Sequence, residues 1–366
     1  MILYSLITAA LLIAAITFYL QRPKFGKSPS GKRLEQIKKS VNYRDGAFQN
    51  LNETPQFSED VNHFSLMKSF FFPDNKRRVP LNTIPSVKTD LHNLAPDENM
   101  LVWFGHSSYF MQIDGKKILV DPVLSGSASP FSFIIKAFEG SNPYTPEDIP
   151  EIDYLFITHD HWDHTDYKTL VALKSKIGTV ICGLGVGEHF EYWGFDKDRI
   201  IEKDWNEKVS LSDNFTVYTA PTRHFSGRGF YRNSTLWTSF ILKTKSLTMY
   251  IGGDSGYDTH FADIGNEYGP FDVVILENGQ YNKNWPYIHM HPKEVLLAAK
   301  DLGAKRLFPV HSAKFSLSDH SWDEPLSKIS ELNINNPPRL LTPKIGEPLF
   351  LNNETQPFTQ WWTEVD

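Results

Sequence analysis

With 366 residues, 40% of them hydrophobic and 14% aromatic, the chain can bury one large core or two small ones. A formal net charge of −6 excludes an overall basic field of the kind that gathers nucleic acid, so no nucleic-acid partner is expected. The single cysteine, Cys182, excludes an intrachain disulfide and a cysteine-rich zinc site.

The chain opens on residues 1–21. Its first twenty positions carry no charged side chain and only Ser5, Thr8 and Thr17 as clearly polar groups. Twenty helical residues span roughly 30 Å, the hydrocarbon thickness of a bilayer. No lysine or arginine precedes the run, and Phe18-Tyr19-Leu20-Gln21 is a poor cleavage site. The expectation is therefore an uncleaved N-terminal transmembrane helix, with an unusual signal peptide as the alternative. Arg22, Lys24, Lys27, Lys32 and Arg33 follow. On the positive-inside rule they set the body on the cytoplasmic face of a cell membrane.

Residues 22–95 read as a basic lead-in packing on the main domain, punctuated by Gly26, Pro29, Gly31 and Pro55. Residues 34–41 suggest a short basic amphipathic helix near anionic headgroups. The run from Phe64 to Phe72 is strongly apolar and ends at Pro73. Docking on the main domain is expected of it, with the membrane interface as the alternative. The main domain follows at 96–350, and 351–366 is a tail.

From Asn99 the pattern is of strands, at 100–104, 109–113 and 117–120, with Asp114-Gly115 as a hairpin signal between the last two. Further strands are expected at 179–182, 215–219, 238–242, 247–251, 273–276 and 306–310, and helices at 167–177, 187–193, 292–302 and 323–332. Strands with interspersed helices predict two sheets covered by helices.

Within that frame, Thr158-His159-Asp160-His161-Trp162-Asp163-His164 packs three imidazoles and two carboxylates among the last six of its seven residues. It follows a short apolar strand, 154–157, and precedes a helical pattern, so it is a loop at the carboxyl end of a strand. Imidazole nitrogen and carboxylate oxygen are ligands that Zn²⁺ and similar ions take. His159 and His161 can face one metal, and Asp163 and His164 a second. A solvated polar loop is the plain alternative. His224, Asp254 and His311 also sit where strands run out, so all could converge on one edge. Gly252, Gly253 and Gly256 let the backbone turn tightly around Asp254.

His159-x-His161-x-Asp163-His164 followed by His224, Asp254 and His311 resembles the metallo-β-lactamase superfamily. Trp103-Phe104-Gly105-His106, Asp121-Pro122, Leu236-Trp237, Gly253-Asp254-Ser255-Gly256-Tyr257, Gly269-Pro270-Phe271-Asp272 and His291-Pro292-x-Glu294 are similar to N-acyl-phosphatidylethanolamine-hydrolysing phospholipase D and its bacterial relatives. The resemblance covers roughly residues 95–350. It implies an αββα sandwich with two divalent ions, zinc foremost, at one edge. His159, His161 and His224 would hold one ion, Asp163, His164 and His311 the other, and Asp254 would bridge them. Ser312 stands where the family often has tryptophan, and Gly279-Gln280-Tyr281 also departs from the animal pattern, which leaves the pocket wall and the lipid specificity open.

A bridging hydroxide between two such ions is a nucleophile at neutral pH, so no serine or cysteine nucleophile is required. The resemblance implies cleavage of a phosphodiester, with Asp163 and Asp254 in the catalytic centre. His291, in His289-Met290-His291-Pro292, is a candidate to contact the substrate phosphate, with a capping or packing role as the alternative. Asp121 and His106 are candidates to orient ligands from behind, and Tyr281, Trp285 and Tyr287 to line an acyl-chain entrance; a turn aspartate and packed aromatics are the plain alternatives. Expected partners are a phospholipid membrane, a lipid or phosphodiester substrate and a second copy of the chain. The rival readings are a hydrolase of a soluble substrate on the same fold, lactonase or β-lactamase-like, and a non-catalytic metal-binding scaffold.

Overall fold

The computed structural model describes residues 2–72, 74–229, 231–334 and 336–366. Met1, the expected start of the membrane span, and Pro73, the expected end of the apolar run, lie outside the described residues. Two seven-stranded sheets dominate. The first runs in spatial order Pro348–Phe350, Met100–Trp103, Tyr109–Ile113, Lys116–Val120, Ile152–Ile157, Ile177–Gly183 and Ile200–Lys203. Neighbours are antiparallel as far as Lys116–Val120 and parallel from there on. The second runs Arg339–Leu340, Arg306–Val310, Val273–Glu277, Thr248–Ile251, Ser239–Lys243, Phe215–Ala220 and Lys208–Ser212. It is parallel over its first four strands and antiparallel over the rest.

Side-chain alternation explains the layering. In Met100–Trp103, Leu101 and Trp103 enter the core between the sheets, while Met100 and Val102 enter the outer one. Both faces of the strand are apolar because both are covered. Between the sheets, Met111, Ile118 and Phe156 meet Val217, Phe240, Met249 and Ile275. Outside the first sheet, Phe110 and Leu155 pack on Leu170, Leu173 and Phe190, from the helices Tyr167–Leu173 and Gly187–Tyr192. Outside the second, Ile241, Tyr250 and Val274 pack on Phe261, Val295 and Ile329, from His260–Tyr268, Pro292–Asp301 and Glu324–Leu332. The order is helix, sheet, sheet, helix, as expected. Each fully buried large apolar side chain contributes about 1.5–3 kcal/mol to holding these layers together.

The expectation of an N-terminal transmembrane helix, and with it a single-pass membrane location, is overturned. Among the described residues, no helix is long and apolar enough to cross a membrane. The first helix runs Ile2–Leu20, and its last turn is taken up by protein. Tyr19 stacks on Phe131 at 5.3 Å and meets Phe25 edge-on at 5.5 Å. Phe25 in turn packs edge-on against Trp162.

The lead-in is likewise bound to the body. Its first helix is Gly31–Ile37, and Ile37 and Phe48 share a buried cluster with Trp205, Leu236 and Trp237. Arg33 reaches Glu188, Glu191 and Glu202. At the other end, the expected tail buries Trp361 and Trp362 in the core between the sheets.

Candidate metal centre

All seven candidate ligands lie at one edge, on loops that leave the carboxyl ends of strands. Ile152–Ile157 delivers His159 to His164, Phe215–Ala220 leads to His224, Thr248–Ile251 to Asp254, and Arg306–Val310 to His311. His161 is half-buried and the other six are buried. Left-handed backbone marks this edge: φ is 53° at His106, 41° at Asp121, 58° at Gln280 and 67° at His311. Such conformations cost energy and persist where the surroundings over-determine them. Gly253, at φ 62°, lets the Asp254 turn approach the histidine loop, since a Cβ there would fall 2.8 Å from Thr158 Cβ.

The side chains form two groups around one carboxylate. His161 Nδ1 lies 2.9 Å from His159 Nε2 and 3.2 Å from His224 Nε2. His106, Asp163, His164 and His311 form the second group. Asp254 reaches both: Oδ2 is 3.2 Å from His164 Nε2, 3.7 Å from His224 Nε2 and 3.8 Å from His159 Nε2, while Oδ1 is 3.2 Å from His311 Nδ1.

The rings of His164, His224 and His311 are held by neighbours outside the ligand set. Asp121 accepts from the Thr158 N–H and hydroxyl at 2.9 and 2.6 Å, and its Oδ2 lies 2.8 Å from His164 Nδ1. His224 Nδ1 donates to the Ile288 carbonyl at 2.9 Å, which leaves Nε2 with its lone pair facing inward. Ser107 Oγ is 2.9 Å from His311 Nδ1. His106 sits behind a carboxylate rather than an imidazole, with Nε2 2.9 Å from Asp163 Oδ2. Behind the loop, Arg228 donates to the carbonyls of Asp160 and Thr165 and stacks on Trp162 at 4.1 Å.

The donor set fits divalent cations. His164 Nε2, His311 Nε2 and Asp254 Oδ1 are buried with no hydrogen-bond partner, and orphaned polar atoms at such depth call for a partner. Burial pushes the His159, His224 and His311 pKa values well below the ordinary imidazole value, so these rings are neutral, the form that binds metal. Burial opposes the ionised forms of Asp163 and Asp254 as well. The neighbouring histidines, His164 first, outweigh it and hold both well below the usual carboxylate range. Two three-donor groups sharing one carboxylate can accept two ions.

The remaining predicted residues divide. Trp285 lines the cleft over the metal groups. Tyr281 does not; its ring is packed between His291 and His320, and its hydroxyl donates to Glu324 at 3.0 Å. Tyr287 is exposed beneath the Arg223 guanidinium, 4.7 Å away. His291 stands at the N-terminal cap of Pro292–Asp301, where its backbone N–H donates to Glu294 at 2.8 Å, and it is absent from the metal cluster.

His289, two residues earlier, joins that cluster instead, with ligand-capable atoms beside His224 and Asp254 and its ring stacked on His311 at 5.1 Å. Its Nδ1 lies 3.5 Å from Glu277 Oε2. Burial raises the Glu277 pKa to about 7 against the pull of His289. Sequence reasoning missed this pair; the alternation His289-Met290-His291 was its one signal. It also missed Gln56 and Phe57, lead-in residues that line the cleft.

Residues 116–312 match the family model described as a Beta-lactamase superfamily domain. The chain is 38% identical over 294 residues to an uncharacterized protein of Mycobacterium tuberculosis, covering 79% of each. It is 27% identical over 281 residues to the N-acyl-phosphatidylethanolamine-hydrolyzing phospholipase D 1 of Caenorhabditis elegans, covering 70% of this chain and 76% of that protein. Among solved structures, a metallo hydrolase from the archaeon Ignicoccus hospitalis matches with a TM-score of 0.53 at 21% identity, over 69% of this chain and 97% of that one. At that identity the likeness speaks for the fold alone.

Proposed function

This chain belongs to the beta-lactamase superfamily, and from that premise we propose that it is a two-metal phosphodiesterase of phospholipase D type, acting on N-acyl-phosphatidylethanolamine-like lipids. It is a metal-dependent hydrolase of that superfamily. His159, His161 and His224 would hold one ion, Asp163, His164 and His311 the other, with Asp254 serving both. Zinc suits this set of nitrogen and oxygen donors. When bound, the ions would supply an acidified water and neutralise charge on the phosphoryl group. Asp121, Ser107 and the Ile288 carbonyl keep the ligand rings aimed. His289 borders the cleft and takes the substrate-contacting role expected of His291. One water is consumed: its oxygen bonds to phosphorus, the bond from phosphorus to the headgroup oxygen breaks, and that oxygen takes a proton. The products are phosphatidic acid and an N-acylethanolamine.

The observation that carries this reading is the shape of the cleft. Its volume is about 180 Å³, and it adjoins an apolar groove of about 340 Å³ across Phe57, Trp285 and Leu317. Leu66 and Met67 line the far part of the groove. A reacting phosphodiester with an apolar arm fits this pairing, and the worm relative is named for such a substrate.

Zinc-loaded protein given N-acyl-phosphatidylethanolamine vesicles is expected to form phosphatidic acid, and Asp254→Ala to form none. Hydrolysis of a soluble lactone or bis(p-nitrophenyl) phosphate without vesicle hydrolysis would keep the hydrolase and discard the lipid. Bound metal with no hydrolysis of any of these would leave a scaffold.

A further inference from the structure

The lead-in reaches the metal centre through one side chain. Asn50 Oδ1 accepts from the His224 backbone N–H at 3.1 Å, and Asn50 Nδ2 donates to the His224 carbonyl at 2.7 Å. Both backbone groups of a candidate ligand are thus satisfied by one amide from 174 positions earlier. Buried backbone polar groups need partners, and strand neighbours usually supply them. Here a side chain does so at the point where the strand Phe215–Ala220 has run out.

A third contact fixes which way the amide faces. Trp237 Nε1 donates to Asn50 Oδ1 and to the Thr222 carbonyl, each at 3.0 Å, and an indole N–H can only donate. The oxygen is therefore on the side of Trp237 and the His224 N–H, and the amino group on the side of the His224 carbonyl. Trp237 is itself fully buried in the cluster that holds Phe48 of the lead-in.

We infer that Asn50 is a positioning residue for the metal centre, setting where the His224 backbone sits while the Ile288 carbonyl sets which ring nitrogen faces inward. The two act on different freedoms of one residue: Asn50 on its main chain, Ile288 on its ring. The inference rests on the reading of His224 as a ligand. Nearby ties of the lead-in reach the adjoining Arg223 and its partner Asp258, but no atom of His224 itself. Asn52 donates to both oxygens of Asp258 at 2.9 Å, and Arg223 donates to Thr54 and to the Glu53 carbonyl. These anchor the same segment without touching the ligand, which separates local anchoring from positioning.

The test uses the full chain loaded with Co²⁺, comparing wild type, Asn50→Ala, Asn50→Asp, Asn52→Ala and His224→Ala. The readouts are bound metal per chain, affinity in competition with a chelator and the visible Co²⁺ spectrum, with circular dichroism to check the fold. Loss of a group that orients a ligand typically weakens metal binding about 10- to 100-fold. Asn50→Ala is expected to fall in that range with a changed spectrum, and Asn52→Ala to match wild type. Asn50→Asp keeps the acceptor, loses the donor and is expected in between. Wild-type affinity and spectrum in Asn50→Ala, or equal losses in Asn52→Ala, would overturn the inference. Should Asn50→Ala not fold, wild-type values in Asn50→Asp would overturn it and weakened binding would support it. His224→Ala keeping both ions would instead remove the ligand reading itself.

Discussion

Asp121 Oδ2 lies 2.8 Å from His164 Nδ1, and both side chains are shut off from solvent. The carboxylate stands behind the imidazole and turns its other nitrogen toward Asp254, 3.2 Å away. The Asp121 backbone is left-handed, at φ 41°, so the loop accepts strain to bring it there. Asp121→Asn keeps the shape and removes the charge. The expected result is about 10- to 100-fold weaker binding of one ion, with a parallel loss of turnover. Chelator competition on wild type and variant measures it, and equal affinities would show Asp121 to be a turn residue only.

Gly253→Ala is expected to destabilise the fold and disturb the metal centre together. The position is left-handed, which costs a residue with a Cβ about 1–2 kcal/mol, and the added carbon would press on Thr158 at 2.8 Å. Thr158 cannot yield freely, because its N–H and hydroxyl are both committed to Asp121. Denaturant unfolding should therefore show a loss of at least that size, with faster metal release.

His260 predicts a pH dependence separate from the metal ligands. Burial, partly offset by Asp258, lowers its pKa to about 4 from the ordinary 6.5. The folded state thus favours the neutral ring, and the unfolded state takes up the proton first as the solution is acidified. The stabilisation is complete above pH 6.5 and is lost as pH falls toward 4, by about 3 kcal/mol for this one group. His260→Gln should show a shallower fall in unfolding free energy between those two values than wild type. Equal slopes would place the titration elsewhere.

Leu317→Trp tests the passage between the metal cleft and the apolar groove. Leu317, Phe57 and Trp285 line both spaces, so a larger side chain there narrows the connection. Cleavage of a long-chain N-acyl lipid is expected to fall roughly tenfold or more in kcat/KM, the consequence of losing a few apolar contacts worth about 1–3 kcal/mol. A short soluble phosphodiester should be hydrolysed as before. An equal loss on both substrates would mean that the change reached the metal ligands.

Much of this architecture is readable in the chain because its signals are local. Strand alternation around Asp114-Gly115 predicts a hairpin, and Ile113 does pair with Lys116. His159, His224, Asp254 and His311 each follow an apolar run, and that shared position is what brings them to one edge. The less legible features depend on contacts distant in sequence. Nothing within residues 40–60 signals that Asn50 will meet His224, since neither periodicity nor composition records a partner 174 positions away. The choice between His289 and His291 fails for a related reason. Pro292-x-Glu294 draws attention to His291, yet that sequence is a helix start, and helix capping claims the residue. The apolar N-terminus misled because hydropathy counts residues and cannot see that Tyr19 is stacked on Phe131.

The strand Pro348–Phe350 closes the first sheet by pairing with Met100–Trp103. On the ribosome, that sheet is the first of the two large ones to be begun and the last to be finished. Its Met100–Trp103 edge waits, with backbone groups unpaired, through some 240 residues of synthesis, roughly 10 to 50 seconds at ordinary elongation rates. An open strand edge is a template for pairing with another chain. The nascent protein therefore carries that risk of misassembly until Pro348–Phe350 has been made, and truncation ahead of Pro348 would leave the hazard in place for good.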